Sequence, residues 1–157
     1  MTKAALSTFA ILMCSAPVFG FQKPMVSDAN ALKGVWTPVK WELAGKSPAA
    51  VPNMTLTLTE GQYELVEGPS IDSGRITIRP NLKIKEMDIV GVKGPNAGRT
   101  IPAIYRFEKD MLTICYGLDG KRPKLFESPK KTLTLLVTYS QKPMARKPQL
   151  RMKFIKP

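Results

Sequence analysis

Histidine is absent from the 157-residue sequence. Without an imidazole the chain cannot build a Ser-His-Asp or Cys-His nucleophile system, and it lacks the ligand on which most zinc and non-haem iron sites depend. The glycine-rich segment 91–98 contains Pro95 and lacks the Lys-Ser/Thr pair of a phosphate-binding loop. We therefore expect a protein that is not an enzyme and needs no metal or cofactor. An unrecognised hydrolase is the least favoured alternative.

Acidic residues are few: 12 Asp+Glu stand against 24 Lys+Arg, which gives a formal net charge of +12. Such an excess favours anionic partners, including nucleic acid, acidic polysaccharides, envelope polymers and lipid headgroups. A solvated basic surface that only keeps the protein soluble is an equally favoured interpretation. Residues 140–157 contain basic side chains and no acid. The predicted polyanion-binding residues of this tail are Lys142, Arg146, Lys147, Arg151 and Lys153.

Long apolar runs are confined to the N-terminus. Lys3 precedes an apolar run over residues 4–14, and small residues then lead to Gly20, a pattern typical of a secretory signal. The run is too short for a membrane-spanning helix of about 20 residues. We predict cleavage before Phe21 and export to the periplasm or the outside of the cell, with no transmembrane segment in the mature chain. Export argues against a specific nucleic-acid partner.

Cysteine occurs only twice, at positions 14 and 115. Lipid anchoring at Cys14 is a minority alternative, because a lipoprotein signal favours a small residue where this chain has Met13. Cleavage after Gly20 would leave Cys115 alone and exclude an intramolecular disulfide. Cys115 lies in an apolar β pattern, which predicts a buried and inert thiol.

Short β-strands dominate the pattern from Leu32 onward. Residues 54–59 alternate strictly between apolar and Thr, as half-buried strands do. About eight such segments, separated by Gly, Pro, Asn and Asp, are typical of a barrel or sandwich, and helices should be short or absent. A change of apolar phase between Ile84 and Met87 predicts a β-bulge. The predicted organisation is a signal peptide (1–20), a linker (21–31), an all-β domain (32–139), and a basic tail or extra edge strand (140–157).

Three separated motifs resemble those of a known family. They are L-K-G-V-W at 32–36 followed by G-K at 45–46; M-T-L-T-L-T at 54–59 leading to Tyr63; and I-Y-R-F-E-K-D-M-L-T-I-C-Y at 104–116 continuing into Arg122-Pro123 and Phe126. In order and spacing they are similar to the lipocalin-like domain family of unknown function that is abundant in planctomycete bacteria. The similarity covers about residues 32–138. The chain departs from the family pattern in its longer basic tail and in Met111.

The resemblance implies a small antiparallel β-barrel of lipocalin type, with about eight strands, in an exported protein without established enzyme activity. It also implies a structural role for Trp36, which would close one end of the barrel beneath a basic residue from a late strand.

An eight-stranded barrel either fills with its own side chains or holds one small ligand, and the bulky apolar residues predicted to face inward, Val39 and Leu133 among them, leave both outcomes open. For a cavity, Trp41, Tyr105 and Tyr116 are the predicted ligand-binding residues, since aromatic rings with one polar atom suit pocket walls. The leading hypothesis is an exported, non-enzymatic lipocalin-like module that binds a small apolar ligand. The alternative is an envelope-associated interaction protein that uses its basic face and tail on polyanions.

Overall fold

The computed structural model describes residues 27–141. The predicted signal peptide, most of the predicted linker and the tail from Lys142 onward lie outside these residues. The elements are α1 (Asp28–Leu32), β1 (Gly34–Leu43), β2 (Met54–Thr59), β3 (Gln62–Glu67), β4 (Ser70–Arg79), β5 (Lys85–Lys93), β6 (Thr100–Glu108), β7 (Met111–Gly117) and β8 (Thr134–Gln141).

The eight strands described within residues 27–141 form one closed antiparallel barrel. Each strand pairs with the next along the chain, and β8 pairs with β1 to complete the ring. This up-and-down order leaves no unpaired sheet edge and is the arrangement that lipocalins use. The prediction of a small all-β barrel of about eight strands is confirmed.

Strict alternation places one face of each strand in the core. In β2, Leu56 and Leu58 are buried, whereas the intervening threonines are only partly covered. The same period brings Ile114 of β7 and Val137 of β8 together as register partners, both essentially inaccessible to solvent. Burial of one such side chain stabilises the fold by roughly 1.5–3 kcal/mol, so the barrel interior is the main source of stability.

Three details of the predicted strands are wrong. Ile84 precedes β5, which begins at Lys85, so the change of apolar phase marks the end of a turn and not a bulge. Register shifts instead occur between Ser73 and Gly74 of β4, at the far end of its pairing with β5, and between Pro38 and Lys40 of β1, where proline has no N–H for the ladder. The shift in β1 turns Val39 outward, with 48% of its surface exposed. Leu133 was also predicted to face inward, but it lies before β8 and is 58% exposed.

The short helix α1 covers one end of the barrel, which we call the closed end. It falls largely within the segment predicted to be a linker. Its last residue, Leu32, is buried, and the indole N–H of Trp36 donates a 2.8 Å hydrogen bond to the Leu32 carbonyl. The Trp36 ring lies 6.5 Å from that of Phe107, so three large apolar side chains fill this end. Within residues 27–141, no helix is long and apolar enough to cross a membrane.

A long connection between β7 and β8, residues 118–133, lies against the outside of the barrel; we call it the strap. Arg122 fixes its first half, since the guanidinium donates to the carbonyls of Met87 (3.0 Å) and Ala103 (2.6 Å). The same guanidinium pairs with Asp88 and with Glu86. One arginine thus joins the strap to β5 and β6.

Two further contacts hold the second half of the strap. The Arg106 guanidinium stacks 4.5 Å from the centre of the Phe126 ring, and the Cys115 thiol donates to the Glu127 carbonyl at 3.4 Å. Ile104 and Cys115 are register partners on the outward face of β6 and β7, yet both are fully buried. The strap is what covers them. The prediction that the Cys115 thiol is buried is confirmed.

Candidate ligand-binding cavity

A cavity of about 110 Å³ lies inside the barrel. It is lined mainly by apolar side chains from the inner faces of the strands, such as Leu56, Ile89 and Ile114. It extends toward the end that α1 does not cover, which we call the open end; Trp41 and Leu135 line it there and are only partly buried. A cavity of comparable size, about 150 Å³, holds one benzene molecule in another protein.

A buried carboxylate contributes the charged group of the cavity lining. Asp72 of β4 is only 4% exposed and faces inward. The Tyr63 hydroxyl donates to its Oδ2 at 3.0 Å. The backbone N–H of Asn96 donates to Oδ1 at 3.0 Å, and the Asn96 side-chain amide donates to Oδ2 at 2.8 Å. The β5–β6 turn that contains Asn96 is thereby tied over one side of the barrel interior.

Sequence reasoning missed Asp72 and Asn96. The alternation pattern could have identified Asp72, because an even number of positions separates it from Ile76 and Ile78, which face inward on the same strand. A polar residue in an apolar phase predicts either a buried hydrogen-bonding group or a register change. No sequence pattern identifies Asn96, because the composition of the surrounding residues 94–98 indicates only a turn. Its contact with Asp72 joins two different hairpins.

Tyr116 of β7 and Tyr139 of β8 supply a second polar group. Their hydroxyl oxygens lie 2.8 Å apart, and either can be the donor. Burial, followed by the influence of its neighbour Tyr139, raises the pKa of Tyr116 well above its ordinary value. Burial likewise raises the pKa of Tyr139. Both phenols therefore stay protonated at neutral pH and act as neutral hydrogen-bonding groups.

The structure brings together two of the three aromatic residues predicted to bind a ligand. Trp41 and Tyr116 both line the cavity. Tyr105 faces the interior too, but toward the closed end, where its hydroxyl bonds to Asp28 and its ring meets Phe107 edge-on at 6.0 Å. Alternation identifies the face of a strand that points inward, whereas the position along the barrel axis depends on strand stagger.

The predicted polyanion-binding residues, Lys142, Arg146, Lys147, Arg151 and Lys153, lie outside the described residues. The part that is described, residues 27–141, contains all 12 acidic residues of the chain and 16 of its 24 basic ones. Most of the positive excess therefore belongs to the two terminal segments. The described residues contain no cluster of three or more Cys, Asp or Glu side chains arranged to hold a metal ion.

Comparisons with protein-family models, with curated proteins and with solved structures give no match. The resemblance to the lipocalin-like family therefore rests on the sequence motifs alone. The structure shows what several of the motif residues do. Arg122 and Phe126 anchor the strap, and Cys115 lies beneath it. These three residues serve the architecture of the barrel, whereas other motif residues, Leu56, Tyr63 and Tyr116 among them, line the cavity.

Proposed function

We propose that this chain is an exported, non-enzymatic lipocalin-like binding protein whose barrel takes one small apolar ligand. The observation that carries the proposal is the cavity of about 110 Å³ within an otherwise packed interior. Removal of an apolar molecule from water into such a space gains roughly 25 cal/mol for each Å² of apolar surface buried. The export and the lipocalin-like relationship come from the sequence pattern alone.

Two features of the cavity support a binding role over a packing defect. Trp41, Leu118 and Leu135 line the cavity but are only partly buried, so a ligand entering from the open end would complete their burial. The polar side chains of the lining are also few among mainly apolar ones, as in ligand sites where apolar walls supply affinity and a few polar groups set orientation.

A blocking substitution tests the proposal directly. Leu135→Trp places a bulky ring in the cavity, whereas Leu133→Trp puts the same ring two residues earlier, where the side chain is 58% exposed. Native mass spectrometry of protein purified from its own host would show a ligand adduct in the wild type and in Leu133→Trp, and none in Leu135→Trp. Absence of an adduct from every sample, together with no calorimetric binding of small cyclic hydrocarbons, would refute the proposal.

A second candidate is an envelope-associated protein that binds polyanions through its basic face and tail. The charge distribution supports it, because residues 142–157 add six basic residues and no acid beyond the last residue of β8. Truncation after Gln141 preserves all eight strands described within residues 27–141. Retention on heparin or on anionic vesicles should weaken steeply with salt and should fall on truncation; unchanged retention would contradict this function.

A further inference from the structure

The charged part of the cavity lining is negative. Among the described residues that line it, Asp72 is the single charged side chain and none is Lys or Arg. Both oxygens of Asp72 accept hydrogen bonds, three in total from Tyr63 and Asn96, as the ionised carboxylate does. An anionic ligand would bring a second negative charge into an apolar space that offers no cation to balance it. The lining therefore disfavours carboxylates such as fatty-acid anions.

The tyrosine pair leaves one hydrogen-bond donor unused. Tyr116 and Tyr139 carry two hydroxyl hydrogens between them, and only one can lie in the bond that joins their oxygens. Within residues 27–141 neither hydroxyl bonds to any other group; Tyr139 is only 2% exposed and Tyr116 is partly buried. A donor that is removed from water without gaining an acceptor costs free energy. An acceptor atom on a ligand would remove that cost.

We propose that the cavity selects a neutral, ring-sized molecule that carries a carbonyl or hydroxyl oxygen, and that this oxygen accepts the free hydrogen of the Tyr116–Tyr139 pair. The inference rests on the proposed binding function and adds the chemical class of the ligand. The apolar lining binds the body of the molecule, the tyrosine pair orients its oxygen, and Asp72 excludes anions.

Three probes of similar size separate these contributions when they are titrated calorimetrically into the full mature chain at neutral pH. Methylcyclohexane tests the apolar cavity alone, cyclohexanone adds a neutral acceptor, and cyclohexanecarboxylate adds a negative charge. Once each affinity is corrected for the probe's own free energy of transfer from water to an apolar solvent, one hydrogen bond should favour cyclohexanone over methylcyclohexane by about fivefold. The carboxylate should bind at least about tenfold more weakly than either.

Substitutions of the lining residues then show which side chains produce the preference for the ketone and the exclusion of the carboxylate. Tyr116→Phe or Tyr139→Phe alone leaves one hydroxyl whose hydrogen is free, so each single variant should keep the preference for cyclohexanone. The double variant removes both hydroxyls and should abolish the corrected preference for the ketone over the hydrocarbon. Tyr105→Phe is the matched control, because Tyr105 makes its hydrogen bond at the closed end, away from the cavity lining. Asp72→Asn should reduce the difference in affinity between cyclohexanecarboxylate and cyclohexanone.

The outcomes distinguish the two proposals. If none of the probes binds, the binding function fails and the ligand class fails with it. If both probes bind the wild type but the corrected affinities of the hydrocarbon and the ketone are equal, the cavity is a binding site but the role of the tyrosine pair is wrong. Tight binding of the carboxylate would overturn the role of Asp72. The wild-type series gives these results even if the double variant does not fold.

Discussion

The Tyr105 hydroxyl donates a 2.8 Å hydrogen bond to Oδ2 of Asp28, the first residue of α1. Lys85 of β5 reaches the same carboxylate, with Nζ 2.9 Å from Oδ1. Burial, and then the bond and charge of Asp28, raise the pKa of Tyr105 above its ordinary value. One carboxylate thus fastens the helix to two strands and holds the closed end of the barrel shut.

Asp28→Asn should lower the free energy of unfolding by about 1–3 kcal/mol, because the buried Tyr105 hydroxyl and the Lys85 ammonium both lose a charged partner. Urea unfolding monitored by circular dichroism measures the change. Glu60→Gln is the matched control, since the Glu60 side chain is 87% exposed and its ion pair within residues 27–141 is with Lys33. Loss of such a surface pair costs at most about 1 kcal/mol. Equal effects of the two substitutions would contradict the role assigned to Asp28.

Arg122→Met should loosen the strap and expose the thiol beneath it. The substitution removes bonds to the carbonyls of Met87 and Ala103 and the ion pair with Asp88. In the wild type, burial by itself would raise the pKa of Asp88, but the bonds from Arg79 and Arg122 outweigh it and lower that pKa. A loss of about 1–2 kcal/mol in the free energy of local opening would speed alkylation of Cys115 by about 5- to 30-fold.

Mass spectrometry of the peptide that contains Cys115 gives the alkylation rate. Lys124→Met is the control, because Lys124 belongs to the same strap but is exposed to solvent. The two variants change charge by the same amount. If Arg122→Met left alkylation as slow as in the wild type while Lys124→Met behaved identically, the strap would not depend on the arginine.

Alkaline pH should destabilise the barrel, because its buried thiol and phenol groups lose protons more readily in the unfolded chain. Burial raises the pKa of the Cys115 thiol from its ordinary value of 9.0 to about 11. The unfolded chain therefore releases this proton first, and stability falls as pH rises from about 9 to about 11. The thiol contributes on the order of 2 kcal/mol to this loss. Tyr63 and Tyr105, whose pKa values are also raised by burial, act in the same direction above pH 10.

The urea midpoint measured across this pH range tests the expectation, with Cys115→Ala as the comparison. In the alanine variant, the decrease of the urea midpoint that begins near pH 9 should be absent. The decrease that the tyrosines produce at higher pH should remain. Parallel curves for both proteins would show that the thiol titrates alike in the folded and unfolded states.

Local periodicity was sufficient to predict most of the barrel. The bounds of β1 and β2 follow directly from the apolar pattern, because the side-chain period of a strand is two and one face of each strand must be buried. The helix α1 was not predicted. Its five residues are too few to show a helical period, and it is held by tertiary contacts from Tyr105 and Lys85.

The candidate site was less accessible to sequence reasoning than the fold. Trp41 and Tyr116 follow from alternation, whereas the bond between Tyr116 and Tyr139 joins side chains of β7 and β8 that are not register partners. The Asp72–Asn96 contact joins residues 24 positions apart. Such contacts are set by how hairpins pack against each other, and no local pattern records them.

Gly91 is required for the turn that carries Asn96. A Cβ at Gly91 would overlap the Asn96 carbonyl oxygen, so Gly91→Ala must displace the turn and lengthen the bonds from Asn96 to Asp72. We expect a loss of about 1–3 kcal/mol in stability and faster hydrogen exchange at the Asn96 amide, which donates to Asp72 in the wild type.

Gly98→Ala separates backbone strain from this overlap. Gly98 has a φ of +77° and no atom near the position of an added Cβ, so alanine there costs about 1 kcal/mol through its left-handed conformation alone. Its effect on Asn96 exchange should be small. If Gly91→Ala reduced stability but left the Asn96 amide protected, the turn would have moved together with Asp72, and the carboxylate would be held by the turn and not by the rigid strand β4.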